Sequence, residues 1–133
     1  MANVLYDFGR QSFLEGTVSW NSNNIKVLVF DATYTPAPTT DQHLSDIPGG
    51  AILGTSANLG GKTTTAGVAD ANDVSISPVT GTVQGFVIYQ DTGVAGTSIL
   101  IAVETTVTGL PATLAGGALT ITWDNGASKI FKL

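Results

Sequence analysis

The run IKVLVF, residues 25–30, decides how the rest of the chain is read. Ile25, Val27 and Val29 fall on one side of an extended chain, and Leu28 and Phe30 on the other. A strand that is apolar on both sides is one that must be covered on both sides. The sequence therefore has to supply two covers.

Upstream, YDFGRQSFLE (residues 6–15) carries the one convincing helix signal, and it is the obvious cover for one side. Asp7 stands where a carboxylate can accept backbone N–H groups at the helix start. Gly16 stands where a left-handed residue closes the end. Tyr6 and Phe13 lie seven apart, with Gly9 and Arg10 between them on the same side. The stripe is narrow, so a short helix over about 7–15 is expected, and Gly9 would permit close approach. Thr17–Trp20 reads as a short strand ended by the turn cluster NSNN.

Downstream, strands are expected at Ala51–Ala57, Lys62–Ala66, Val74–Pro78, Gly85–Gln90, Ser98–Thr106, Leu119–Trp123 and Ser128–Leu133. NLGG, DAND, TGT, DTGVAGT, TGLPAT, AGG and DNG lie between them and carry turn chemistry. The expected fold is mainly β. It is an antiparallel β-sandwich (jelly-roll or immunoglobulin-like) or a barrel, with one short N-terminal helix, in a single domain over 1–133. Trp123-Asp124-Asn125-Gly126 reads as a corner between two strands and not as a site, because Asn-Gly readily takes the positive φ of a tight hairpin turn. Leu119, Ile121 and Trp123 alternate before it. Ile130 with Lys132, or Phe131 with Leu133, alternate after it. The final strand is then expected to lie inside the sheet.

Residues 31–50, DATYTPAPTTDQHLSDIPGG, form the longest stretch without strand pattern. Pro36 and Pro38 keep TPAP extended. Asp41 is placed to cap one helical turn through His43–Ser45, stopped before Pro48. A stretch this long is ordered by its own packing or used for function. One reading makes it a partner contact through Tyr34, Pro36, Pro38 and His43. The other makes it a surface loop with Tyr34 and Leu44 tucked into the core.

Charge narrows the function classes. Charged residues are 11% of the chain, against about 25% in a typical soluble domain, so Thr, Ser, Asn and Gly must cover much of the surface. Five basic residues against ten acidic give a net charge of −5, and the basic ones are scattered. No stripe exists to neutralise a phosphate backbone, so nucleic acid is not an expected partner. With no Cys there is no disulfide framework and no thiolate. The N-terminal residues lack a signal-peptide pattern. No apolar run approaches the roughly 20 residues of a membrane span. A soluble protein made in a cytoplasm, without a membrane partner, is expected.

Catalytic signals are weak, and no enzyme activity is expected. His43, Ser45 and Asp46 in HLSD lie too close along one turn to converge as a triad. Asp70, Asn72 and Asp73 supply oxygens, but Val74 and Ser75 stand where an EF-hand loop needs a ligand and Gly. An Asx-turn is the plainer reading. Glu104 interrupts the apolar run SILIAVETT, and an edge or outward-facing position is expected for it. No cofactor or metal is expected. Trp20, Tyr34, Tyr89 and Trp123 are the aromatics that could line a sugar-binding surface, or else pack inside.

Six segments taken together carry a resemblance: LYDFGRQSFLEG, IKVLVFDATYT, HLSDIP, TAGVADANDV, VIYQDTG and GGALTITWDNGASKIFKL. In this order they resemble a group of small proteins encoded among the head and tail genes of tailed bacteriophages and prophages. The resemblance implies a virion structural protein without catalytic residues. A capsid decoration, or cement, protein bound to the major capsid protein is the first expectation. A tail, neck or baseplate component is the second, and a carbohydrate-binding module on the virion the third. Homo-oligomers, trimers among them, fit symmetric sites of that kind.

Overall fold

The computed structural model describes residues 4–127 and 129–133. Its regular elements are strand β1 (Val4–Leu5), helix α1 (Asp7–Leu14), and strands β2 (Ile25–Phe30), β3 (Ile52–Thr55), β4 (Val68–Ala69) and β5 (Val74–Val83). They continue with β6 (Gly85–Gln90), β7 (Leu100–Glu104), β8 (Ala112–Ile121) and β9 (Phe131–Lys132). Five strands form one sheet in the order β1-β7-β6-β2-β3, and every neighbouring pair is antiparallel. Two antiparallel ribbons, β5–β8 and β4–β9, complete the β structure. The chain is mainly β, antiparallel and sandwich-like, with one α-helix.

Both sides of the central sheet are buried, as IKVLVF requires. One side carries Val27, Val29, Phe86 and Ile88 into the larger apolar cluster. Ribbon β5–β8 adds Ile76, Val79, Val83 and Ile121 from above, and the second ribbon adds Ala69 and Phe131. The approach is close. A Cβ on Gly54 of β3 would lie 2.7 Å from the Ile76 side chain of β5. The other side carries Leu28, Phe30, Val87, Tyr89 and Leu100 into a second cluster. Its cover is the 31–51 segment, through Tyr34, Leu44, Ile47 and Ala51, together with Tyr6.

The helix covers only part of a face: Phe8 and Phe13 pack against the larger cluster, whose main cover is the two ribbons. It lies along the edge of β7 where β1 does not reach. Tyr6 N–H donates to the Ile101 carbonyl (2.9 Å), and α1 then runs past Leu100 and Ile101 with Gly9 against their backbone. A covered edge presents no open row of hydrogen-bonding groups. Tyr6, not Asp7, is the N-cap, with no side-chain cap bond, and Asp7 is the first residue inside the helix. Gly16 takes the left-handed conformation, φ +77°. Arg10 is exposed, whereas Ser12 is buried and its hydroxyl donates to the Phe8 carbonyl (2.8 Å).

Several expected elements change. Thr17–Trp20 is not paired. Val18 and Trp20 are buried, so the alternation there reported burial and not a ladder. Lys62–Ala66 keeps only the isolated Thr63–Asp70 bridge. The TGT and AGG clusters are not turns: β5 runs through Thr80–Thr82 and β8 through Ala115–Gly117. Cross-strand pairing overrides weak local β preference, and the Thr82 and Thr113 hydroxyls meet across that ribbon at 2.9 Å. β5 and β8 shift register between Ile76 and Val79, where Pro78 has no N–H to give the ladder. Asp124-Asn125-Gly126 is a corner and not a hairpin, because β8 pairs with β5 and β9 with β4. Asp124 Oδ1 accepts the Gly126 N–H (3.1 Å). Ser128, which opens the expected last strand, lies outside the described residues. That strand is Phe131–Lys132, in a ribbon and not in the main sheet. Ile130 and Phe131 face inward, while Lys132 and Leu133 are exposed.

Gly9 gives this arrangement a direct test. A Cβ there would sit 2.6 Å from the Leu100 carbonyl oxygen and 3.1 Å from Ile101 Cα. Helix propensity alone favours Ala over Gly by about 1 kcal/mol. Overpacking against backbone costs about 1–3 kcal/mol and dominates here. Gly9→Ala is expected to lower the urea midpoint of unfolding. An unchanged or raised midpoint would show that α1 does not lie against β7.

Candidate functional site

The 31–51 segment is the first candidate, and its inner side is tied down by polar contacts. The Tyr34 hydroxyl donates to Asp41 Oδ2 (2.7 Å) and meets the Tyr6 hydroxyl at 2.8 Å. Asp41 Oδ2 also accepts the Ala37 N–H (3.0 Å). Asp41 thus closes the TPAP loop and does not cap the following turn. The Pro38 carbonyl accepts the Asp7 N–H (3.0 Å), which joins the segment to the start of α1. The short turn that follows is Leu44–Asp46. Its anchor is Asp46, whose Oδ2 accepts the N–H groups of Gln42 (2.8 Å) and His43 (2.9 Å). Those two donors hold the Asp46 carboxyl below the usual carboxylate range.

The four residues named from sequence do not form one constellation. Tyr34 is buried and belongs to the second apolar cluster. Pro36, Pro38 and His43 are half-buried. The His43 ring lies 5.2 Å from that of Phe8, and its backbone bridges to Ile99. No hydrogen bond or ring contact links any of the four to another. The outward surface of this segment is small and polar, and Tyr34 supports it from beneath.

The DAND loop is likewise held from inside. Trp20 Nε1 donates to the Asp70 carbonyl (3.1 Å) and Trp123 Nε1 to the Asn72 carbonyl (2.9 Å). Asp73 Oδ1 accepts the Trp123 N–H (2.9 Å), and Asp70 pairs with Lys129 (3.2 Å). Among the described residues, no group of three or more His, Cys, Asp or Glu side chains is placed to hold a metal ion. Trp20, Tyr34, Tyr89 and Trp123 are all buried. None of these rings offers a face for stacking on a sugar.

The second candidate was misplaced by sequence reasoning. Glu104, expected at an edge or facing outward, is 2% exposed. It ends β7 opposite Phe86, on the side of the larger cluster. Its Oε1 accepts the backbone N–H (3.2 Å) and the hydroxyl (2.8 Å) of Thr106. Its Oε2 has no hydrogen-bond partner among the described residues. The residue lines a cleft of about 610 Å³ between the 105–111 turn and the end of β8. Phe86, Val107, Leu110, Leu119 and Ile121 give this cleft apolar walls, and Thr106, Thr108, Thr120 and Thr122 add hydroxyls. The signal was in the sequence: a carboxylate inside a run whose neighbours are apolar on both faces.

No protein-family model matches the chain, and no curated protein matches it in sequence.

All three tyrosines of the chain report on the buried side of the first candidate. Burial pushes the Tyr89 phenol up from 10.0 to about 12. It pushes Tyr6 and Tyr34 up as well, helped at Tyr34 by its bonds to Tyr6 and Asp41. The unfolded phenols ionise near 10, so above that pH the unfolded chain binds fewer protons than the folded one. Their contribution to stability is whole below about pH 10 and is lost as pH rises through the folded values. An ultraviolet titration of the native chain is expected to show no tyrosinate step near pH 10, with the step arriving only on unfolding. A normal step in the native chain would show that these hydroxyls are solvated.

Proposed function

We propose that this chain is a virion structural protein of a tailed bacteriophage, acting as a capsid decoration protein on the shell. The observation that carries the reading is the ordered set of six segments, from LYDFGRQSFLEG to GGALTITWDNGASKIFKL, that resembles that group across nearly the whole chain. The structure supports it by what it offers for binding. The surface is weakly charged. The outer face of ribbon β5–β8 exposes Thr80, Ala115, Gly116 and Ala118, and the 31–51 segment exposes a small polar surface of fixed shape.

Such surfaces bind weakly one at a time. The mechanism is repetition: many copies, assembled as a cyclic homo-oligomer at a symmetry axis, each bury a modest contact across neighbouring capsid subunits. Linked contacts gain avidity without any single strong one. In this role the major capsid protein is the partner, no reaction is catalysed and no cofactor is used.

Quantitative mass spectrometry of purified particles tests the reading. The expected copy number equals that of the major capsid protein or is a fixed large fraction of it. Added to bare shells, the protein is expected to raise their disruption temperature. A few copies per particle would place it in the tail, neck or baseplate instead. Absence from particles would overturn the virion reading altogether.

A further inference from the structure

The cleft beside Glu104 is chemically incomplete. A buried carboxylate oxygen has lost its water, and leaving it without a donor is costly. The apolar walls and the hydroxyls of the cleft suit a guest that brings the missing donor. Phe86, Leu110 and Leu119 can pack a methylene stem, as the stems of Lys and Arg pack on apolar surface. The Thr106 and Thr120 hydroxyls can accept further N–H groups. Among the described residues, none donates to Oε2; Lys26 pairs with Asp91 (2.8 Å) and Lys129 with Asp70. A hard metal ion fits poorly, because it needs six or more oxygens and Glu104 offers one open oxygen. The net charge of −5 favours encounter with a basic partner.

We infer that this cleft receives a basic side chain, the end of a Lys or an Arg on a protein partner, with Glu104 Oε2 as its counter-charge. That the partner is a protein rests on the virion reading above. The oxygen has almost no surface in the free chain, so the guest displaces side chains that cover it. The 105–111 turn is the part that yields; among the described residues it is closed by the bond from Leu110 N–H to the Val107 carbonyl (3.1 Å) and by Thr106 on Glu104 Oε1.

The test uses the isotope-labelled full chain, with amide shifts of Thr106 and of Leu119–Ile121 as the readout. The probes are n-butylammonium and n-propylguanidinium chlorides, n-pentanol as an uncharged body of similar size, and calcium chloride. A saturable shift of the Thr106 amide with at least one organic cation, absent with pentanol, is expected. In Glu104→Gln that affinity falls roughly tenfold, the scale of a hydrogen bond to a charged group. The inference is overturned if pentanol matches the cations, if Glu104→Gln binds them equally, if neither cation saturates, or if calcium alone does so. Should Glu104→Gln fail to fold, the comparison of cations with pentanol on the unaltered chain decides the matter. Binding by a chain that is missing from particles would leave the cleft standing and the virion reading fallen. A chain that coats shells but ignores both cations would reverse that outcome.

Discussion

Val27 and Val29 on one side of β2, and Leu28 and Phe30 on the other, are all at 1% exposure or less. The rest of the molecule follows from keeping water off both sides at once. Each such side chain contributes about 1.5–3 kcal/mol when fully buried, and β6 and β7 extend the same demand, with every residue buried. One roof is made of strands, the β5–β8 and β4–β9 ribbons. The other is made mostly of irregular chain, the 31–51 segment. An irregular roof must find partners for its own backbone groups. The Tyr6–Tyr34–Asp41 contacts and the Asp46 turn supply part of that satisfaction, which explains why so many short-range polar contacts gather there.

The two tryptophans follow the same logic. Each is buried, and each indole N–H ends on a backbone carbonyl of the DAND loop. A buried indole without an acceptor would be costly. The loop's sequence looks like an oxygen-rich site, yet its carbonyls and carboxylates serve the core beneath it. Glu104 is the exception: a buried acid that the described residues satisfy on one oxygen and not the other. The contrast between these well-partnered groups and Glu104 Oε2 marks the cleft as different in kind from the rest of the interior.

How much of this was legible follows from what each signal reports. β2 and β6 match their expected bounds, because two-sided apolar runs have few other uses. The left-handed Gly16 and the close approach at Gly9 were also legible, since both depend on the missing side chain itself. The ten-residue spans of β5 and β8 were not legible. Thr, Gly and Ala there suit a turn locally, and only the partner strand makes them a ladder. β1, β4 and β9 are two residues long and have no periodicity to detect. The helix was recognised, but it covers only part of a face, through Phe8 and Phe13, because a periodic stripe says that something is covered and not how much. The Glu104 cleft was missed for a related reason: both sides of β7 are covered, and only the pairing with Phe86 places the carboxylate on the side of the larger cluster.

The pairing of Val4 with Val103 and the docking of α1 on Leu100 and Ile101 also bear on how the chain comes to be folded. The first strand and the helix meet their partner only after the chain has been made as far as β7. The intervening loop entropy has to be overcome before those contacts form, which slows acquisition of the native state. During synthesis Phe8, Phe13 and the apolar β2 wait without the strands that will shelter them. This topology thus ties the vulnerable period of the nascent chain to the emergence of β7. Any shortage of assistance at the ribosome would be felt there first, as self-association of half-made molecules.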